Sequence, residues 1–381
     1  MNRLFARAAV LLVVLLLVSC AGSPSDAADA RLTVSQALGK PANAAFARAT
    51  QPRVFVFPQD HGPHPTFATE WWYYTGNLDS QDGRRFGYQL TFFRFGLTPD
   101  APARGSAWAA NSIYMAHLAL SDIGTQKFYA FERFSRGAVG LAGAQSSPLQ
   151  VWLEDWRMDA GPDGVPMRLT AAQGDIALDL TLEAGKGIVL QGDHGLSQKS
   201  AEPGNASFYY SMPRMPSSGM LRIAGQEYQV RGQSWLDREW STSALGNDQV
   251  GWDWFALQLE DGRELMYYRL RLRDGSEDAY SAGSLTGPQG ELTRLSCEDV
   301  QIEVLDRWQS PAGTSYPVRW RIRIPTQALE LQVQAAMPDQ ELALSVRYWE
   351  GAVDVTGSIK GRGYVELTGY ADGSGQNPRG R

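Results

Sequence analysis

A chain of 381 residues with a formal net charge of −6 is long enough for two domains, and its scattered charges exclude a nucleic-acid binder built on a clustered basic patch. Hydrophobic residues make up 43%, which is ordinary for a globular protein. The aromatic content is unusual, with 12 Trp, 15 Tyr and 14 Phe, side chains that bury large areas and line apolar ligand pockets.

The chain opens Met1-Asn2-Arg3, runs through an apolar stretch from Ala8 to Val18, and reaches Ser19 and Cys20. A basic start before a short apolar run is a secretory signal, too short for a stable membrane span. Its ending resembles the bacterial lipobox, in which a cysteine after a small residue is diacylated and becomes the first residue of the mature chain. Residues 1–19 then form a lipoprotein signal peptide, with lipidation at Cys20. By the same resemblance, Ala21 in place of Asp favours the outer membrane. The expected location is the bacterial periplasm, with a soluble body tethered to the membrane by lipid chains that contribute about 0.8 kcal/mol per buried CH₂. Once Cys20 is acylated only Cys297 remains, so no intramolecular disulfide forms. Residues 20–51, rich in Ala, Ser and Asp, read as a flexible tether with a short helix near Thr33–Leu38.

Beyond residue 50 the pattern is strand-like. Asp175–Leu182, Val318–Ile324 and Leu329–Gln334 alternate apolar with mostly polar residues, which puts one strand face in a core and the other in solvent. Asp82-Gly83, Gln173-Gly174, Asp261-Gly262 and Asp274-Gly275 supply turn signals between such runs. No later segment holds a long 3.6-residue period. The fold class is all-β and antiparallel, and its repeated hairpins point to barrels or sandwiches.

A weak internal repeat supports two similar units. Trp72-Tyr73-Tyr74 precedes Asp82-Gly83-Arg84 and Tyr88, as Trp252-Asp253-Trp254-Phe255 precedes Asp261-Gly262-Arg263 and Tyr267. The expected domains are 52–225 and 226–372, divided near the proline- and glycine-containing segment Ser211–Gly225.

Three stretches concentrate chemistry. In Glu70-Trp71-Trp72-Tyr73-Tyr74, four consecutive aromatics cannot all face one core, so both strand faces are covered or one lines a cavity. In Trp235-Leu236-Asp237-Arg238-Glu239-Trp240, alternation puts Trp235, Asp237 and Glu239 on one face and Leu236, Arg238 and Trp240 on the other. Carboxylates held among indoles lose solvation and become acids of raised pKa, whereas an arginine close by holds them ionised. A catalytic or ligand-binding role and a buried salt-bridge network closing a barrel end both fit. In Trp252-Asp253-Trp254, the indoles share a face opposite Asp253. His61 and His64 have a His-x-x-His spacing on a predicted loop, with His117 the other candidate imidazole, a weak metal signal. Nucleophile-elbow, phosphate-loop, dinucleotide and zinc-protease motifs are absent, and neither a cofactor nor a metal is expected.

The run Glu70–Leu78, with Phe92-Phe93-Arg94, Ala116-His117-Leu118-Ala119, Trp235–Trp240, Tyr348–Val353 and Gly363–Tyr370, resembles the signature of the AttH-like secreted lipocalin-related proteins. That family is grouped with hydroxyneurosporene synthase, the carotenoid 1,2-hydratase. The resemblance spans about residues 52–372 and implies two tandem lipocalin-like antiparallel β-barrel domains. It also implies an ABC-type export permease as a partner of some members.

Hydration of an isoprenoid double bond needs an acid to protonate carbon and aromatic faces around the resulting cation. Asp237, Glu239 and Asp253 are the candidate acids for such a step, and Trp71, Trp72, Tyr74, Trp235, Arg238, Trp240, Trp252 and Trp254 the candidate ligand contacts; the resemblance itself carries over Asp237 and Trp240. The true hydratases carry Asp-His-Asn-Trp where this chain has Asp237-Arg238-Glu239-Trp240, and arginine is no acid near neutral pH. The leading reading is therefore a lipid-anchored protein binding an apolar small molecule, a lipid or isoprenoid, in the service of an ABC-type permease. The alternative is a hydro-lyase resembling carotenoid 1,2-hydratase.

Overall fold

The computed structural model describes residues 45–100, 105–243, 245–246 and 248–370. The signal peptide, Cys20, most of the tether and the helix expected near Thr33–Leu38 lie outside the described residues. Within them the chain is nearly all β, with two short 3₁₀ turns at Gln59–His61 and Pro325–Gln327. No helix among the described residues is long and apolar enough to cross a membrane.

The strands form two antiparallel sheets. The first, of 13 strands, runs Lys127–Arg136, Ser112–Asp122, Arg85–Gly96, Thr69–Ser80, Gln226–Ser241, Ala206–Ile223 and Ile176–Leu182, then outward to Ala142–Ser146. The second, of 10 strands, runs Leu292–Ser296, Ala282–Thr286, Glu264–Leu272, Gln249–Leu259, Gly361–Leu367, Arg347–Gly357, Leu329–Ala335, Ser315–Ile324 and Gln301–Gln309.

The two orders correspond. In each sheet the first long strand lies between the second strand and the last strand of its unit. The hairpins turning at Gly83 (φ 82°) and Gly262 (φ 86°) occupy equivalent places, as the sequence repeat leads one to expect.

The sheets divide between Ser241 and Gln249, later in the chain than the expected division at 225/226. Pro213 sits at a bulge between Met212 and Met215 within a long strand, where a missing backbone N–H is tolerated. The proline signal therefore marks a bulge inside the first sheet, and Gln226–Ser241 completes that sheet.

Each sheet curls around its own core into a barrel-like, lipocalin-like unit. Trp72, Tyr74, Trp156, Leu169, Leu180 and Trp240 fill the first. Phe255, Trp320, Ile322, Leu331 and Trp349 fill the second. Curling brings Arg133, on an edge strand of the first sheet, 4.5 Å from the Trp156 ring and into a 2.9 Å hydrogen bond with the Ala172 carbonyl.

A third apolar cluster lies between the units and includes Tyr73, Tyr209, Trp235, Trp254, Met266 and Ala352. Close approach there depends on Gly87, where a Cβ would fall 2.8 Å from the Ala352 Cβ and 2.7 Å from the Tyr364 hydroxyl. Ion pairs Arg85–Asp354 (2.6 Å), Asp79–Arg362 (2.7 Å) and Lys186–Glu264 (2.6 Å) join the units around this contact.

Candidate functional site

Strand alternation gives the strands Thr69–Ser80 and Gln226–Ser241 two buried faces with different work. One face points into the first barrel. There Glu70 pairs with both Arg94 and Arg238 and accepts the His64 backbone N–H at 3.1 and 3.0 Å. Arg238 stacks 3.9 Å from the Trp72 ring and donates to the Gly62 carbonyl at 2.6 Å. His64 lies flat on Trp240, with centroids 3.7 Å apart. The loop at 61–67 is thereby fixed across the barrel end. Burial alone would raise Glu70, but the two guanidiniums outweigh it and hold its carboxyl well below the usual range.

The other face opens on a cavity of about 110 Å³ between the two sheets. The first sheet contributes Trp71, Tyr73, Phe93, Met115, His117, Tyr209, Asp237 and Glu239. The second contributes Trp252, Trp254, Tyr268, Leu270, Tyr348 and Glu366, and Lys199 and Val346 reach in from the rim. Register explains the convergence. Tyr73, Asp237 and Ser211 are side by side on three adjacent strands. Opposite them, Trp254, Glu366 and Glu350 form the matching row.

The carboxyls of this cleft are unusual acids. Asp237 accepts hydrogen bonds from Ser211 Oγ (2.5 Å), Trp235 Nε1 (2.6 Å) and the Tyr209 hydroxyl. Burial nevertheless pushes its pKa up to about 7, against those donors and with help from the Glu239 charge. Glu366 accepts Trp252 Nε1 at 2.9 Å, and burial, with Asp237 and Glu239 close by, raises it above the ordinary carboxylate range. Glu350 accepts the Tyr73 hydroxyl at 2.5 Å and is likewise raised by burial and by Glu366.

The remaining polar groups balance charge. Lys199 lies 3.3 Å from Glu239 and 3.9 Å from the centre of the Tyr268 ring. Burial would lower its ammonium, but Glu239 outweighs that and keeps it charged. His117, with Nδ1 2.8 Å from the Tyr348 hydroxyl, is pushed down to about 3 by burial and is a neutral imidazole. A carboxyl raised by burial toward neutral pH and walled by indoles and phenols can give a proton to carbon or take one from water.

The structure brings together Trp71, Asp237, Glu239, Trp252 and Trp254 around the cleft, with Trp235 behind Asp237 as a donor. It does not bring Trp72, Tyr74, Arg238 and Trp240 there. These point into the first barrel, because neighbours in a strand alternate and a continuous run gives only every second side chain to one face. Asp253 turns into the second barrel, where Arg271 Nε and the Tyr370 hydroxyl each bond it at 2.9 Å.

Sequence reasoning missed Lys199, Tyr209, Tyr268, Glu350 and Glu366 as site residues. Glu350 and Glu366 lie within Tyr348–Val353 and Gly363–Tyr370, and a glutamate inside an apolar strand is a detectable signal. Lys199 and Tyr209 carry no such mark. His61 and His64 serve the first barrel, with His61 Nδ1 2.5 Å from the Tyr210 hydroxyl and His64 Nε2 3.0 Å from Asp60. No group of three or more His, Cys, Asp or Glu among the described residues is arranged to hold a metal ion.

The fold is similar to that of a protein from Nitrosomonas europaea described as an AttH, with TM-score 0.76 and 34% identity, covering 85% of this chain and 100% of that one. Kievitone hydratase from Nectria haematococca matches with TM-score 0.64 and 16% identity over 87% of this chain and 98% of that one. CghA with Sch210972 matches with TM-score 0.51 and 14% identity over 86% and 97%. The latter two are likenesses of fold. No curated protein matches the chain. The AttH-like family model matches residues 48–370, so the chain belongs to the AttH-like family.

Proposed function

We propose that this protein is an acid-catalysing hydro-lyase of the carotenoid 1,2-hydratase type, which binds an apolar isoprenoid between its two sheets and adds water across a double bond. The observation that carries this reading is Asp237, a carboxyl raised to about 7 in a cleft walled by Trp71, Trp252 and Trp254. Proton transfer needs a group titrating near the working pH, and the indole faces suit a passing carbocation. The replacement of His by Arg238 falls on the strand face turned away from the cleft, so it leaves the cleft's acids in place. The fold likeness to a hydratase supports the same reading. The test is to incubate detergent-solubilised protein with lycopene in ¹⁸O-labelled water. A hydroxylated product carrying the label is expected, and its absence at every pH tried overturns the reading.

A second reading is a carrier that hands a lipid or isoprenoid to an ABC-type export permease. The predominance of aromatic and aliphatic side chains in the cleft wall favours it, since holding such a ligand needs no chemistry. Native mass spectrometry of protein from its own host, with lipid extraction, separates the two: a near-stoichiometric unaltered ligand and no turnover identify a carrier. Under either reading we place the protein in the periplasm, anchored to the outer membrane through Cys20. Cys20→Ser then releases it to the soluble fraction, and continued membrane association defeats the anchor.

A further inference from the structure

Asp237 and Glu366 face one cleft from opposite sheets, and their hydrogen bonding is unequal. Asp237 accepts Ser211 and Trp235 on one oxygen and Tyr209 on the other. Both of its oxygens are acceptors, the arrangement that suits an ionised carboxylate. Glu366 accepts a single donor, Trp252 Nε1, on one oxygen, and its other oxygen has no donor among the described residues. Two carboxylates in one desolvated space do not both ionise at neutral pH. The other groups facing the pair leave this imbalance in place. Glu239 is neutralised by Lys199, Glu350 is buried against Tyr73, and His117 is uncharged. Of these two carboxyls, the one with fewer donors is therefore the one that keeps its proton.

We infer that Glu366 is the proton donor of this site and Asp237 its ionised base, one group contributed by each sheet. The inference rests on the hydratase reading above. The O–H bond of Glu366 breaks as its proton forms a C–H bond at the less substituted alkene carbon, using the π-electron pair. The tertiary cation on the adjacent carbon faces the indoles and the Asp237 carboxylate. Water forms the C–O bond to that carbon, and the proton it loses goes to Asp237. Transfer of this proton back to Glu366 resets the pair. One water is consumed, and no other reactant is required.

The test is infrared difference titration of the ligand-free full chain, following the carbonyl stretch of protonated carboxyls near neutral pH. The expected result is that Glu366→Gln removes one protonated-carboxyl band, Asp237→Asn leaves it, and Glu350→Gln identifies the separate band of Glu350. Glu366→Asp keeps a carboxyl and shifts the band, a readout available should the amide variant fail to fold. A band lost in Asp237→Asn and kept in Glu366→Gln overturns the assignment. With lycopene, both Asp237→Asn and Glu366→Gln are expected to lower turnover by about 100-fold or more. Wild-type turnover combined with the reversed band pattern sinks the assignment alone. Absence of wild-type turnover sinks the hydratase reading and the catalytic roles with it.

Discussion

Asp237 and Arg238 are adjacent in sequence and serve opposite sides of one strand: the Arg238 guanidinium pairs with Glu70 inside the first barrel, and the Asp237 carboxyl opens on the cleft between the sheets. One hexapeptide thus closes a barrel end and lines the cleft. The two tasks are separable by mutation.

Arg238→Met leaves the buried Glu70 with Arg94 alone and is expected to destabilise the fold by about 3 kcal/mol. The double variant Glu70→Gln/Arg238→Met is expected to lose more, because the buried Arg94 guanidinium is then left without its carboxylate. Urea unfolding of the three proteins measures it. The pH dependence follows from the lowered Glu70: its stabilisation is complete above the ordinary glutamate value of 4.5 and is lost as pH falls through the lower folded value.

Asp237 runs the other way. Its folded pKa is raised, so its contribution is full below 3.8 and is lost as pH rises toward about 7. The loss is on the order of 4 kcal/mol for this group alone. Glu350 and Glu366 add slopes of the same sign. Asp237→Asn should show a shallower decline across that window in melting temperature against pH. An identical decline in the variant would mean that Asp237 is already ionised below it.

Glu350 is expected to behave as a neutral acid. Glu350→Gln retains an acceptor for Tyr73 and should change unfolding free energy by less than about 0.5 kcal/mol. Tyr73→Phe removes the donor and should cost about 1 kcal/mol. A large loss from the glutamine variant would show that Glu350 carries charge in the folded state.

Gly87 sets how closely the sheets approach. Gly87→Val places methyl groups where Ala352 and Tyr364 already stand, and is expected to cost about 1–3 kcal/mol. The indoles of Trp252 and Trp254 should then shift their fluorescence to the red as water enters the widened cleft.

Much of the fold was legible in the chain. The alternation of Ile176–Leu182 is seen directly in its burial, and the Asp-Gly pairs at 82–83 and 261–262 turn equivalent hairpins. The shared face of Asp237 and Glu239 also follows from period two. Alternation cannot tell which of two buried faces meets a cleft, so the sequence alone does not separate Trp72, Tyr74 and Arg238 from Trp71. Nor does local pattern show that Glu366, more than a hundred residues away, comes to face Asp237. That meeting depends on how the two curled sheets pack. The proline at 213 misled for a local reason, since a bulge and a linker tolerate proline alike.

Among the described residues, no strand of one sheet pairs with a strand of the other. The width of the cleft is therefore held by side chains such as Arg85, Asp354, Asp79 and Arg362, and not by a backbone ladder. The two shells meet like the halves of a clasp, and widening the cleft would break side-chain contacts without unzipping a ladder. Domain motions of this kind run on the microsecond-to-millisecond scale. Salt, by loosening the clasp's exposed ionic catches, is a lever on the contact between the sheets that leaves both barrel cores untouched.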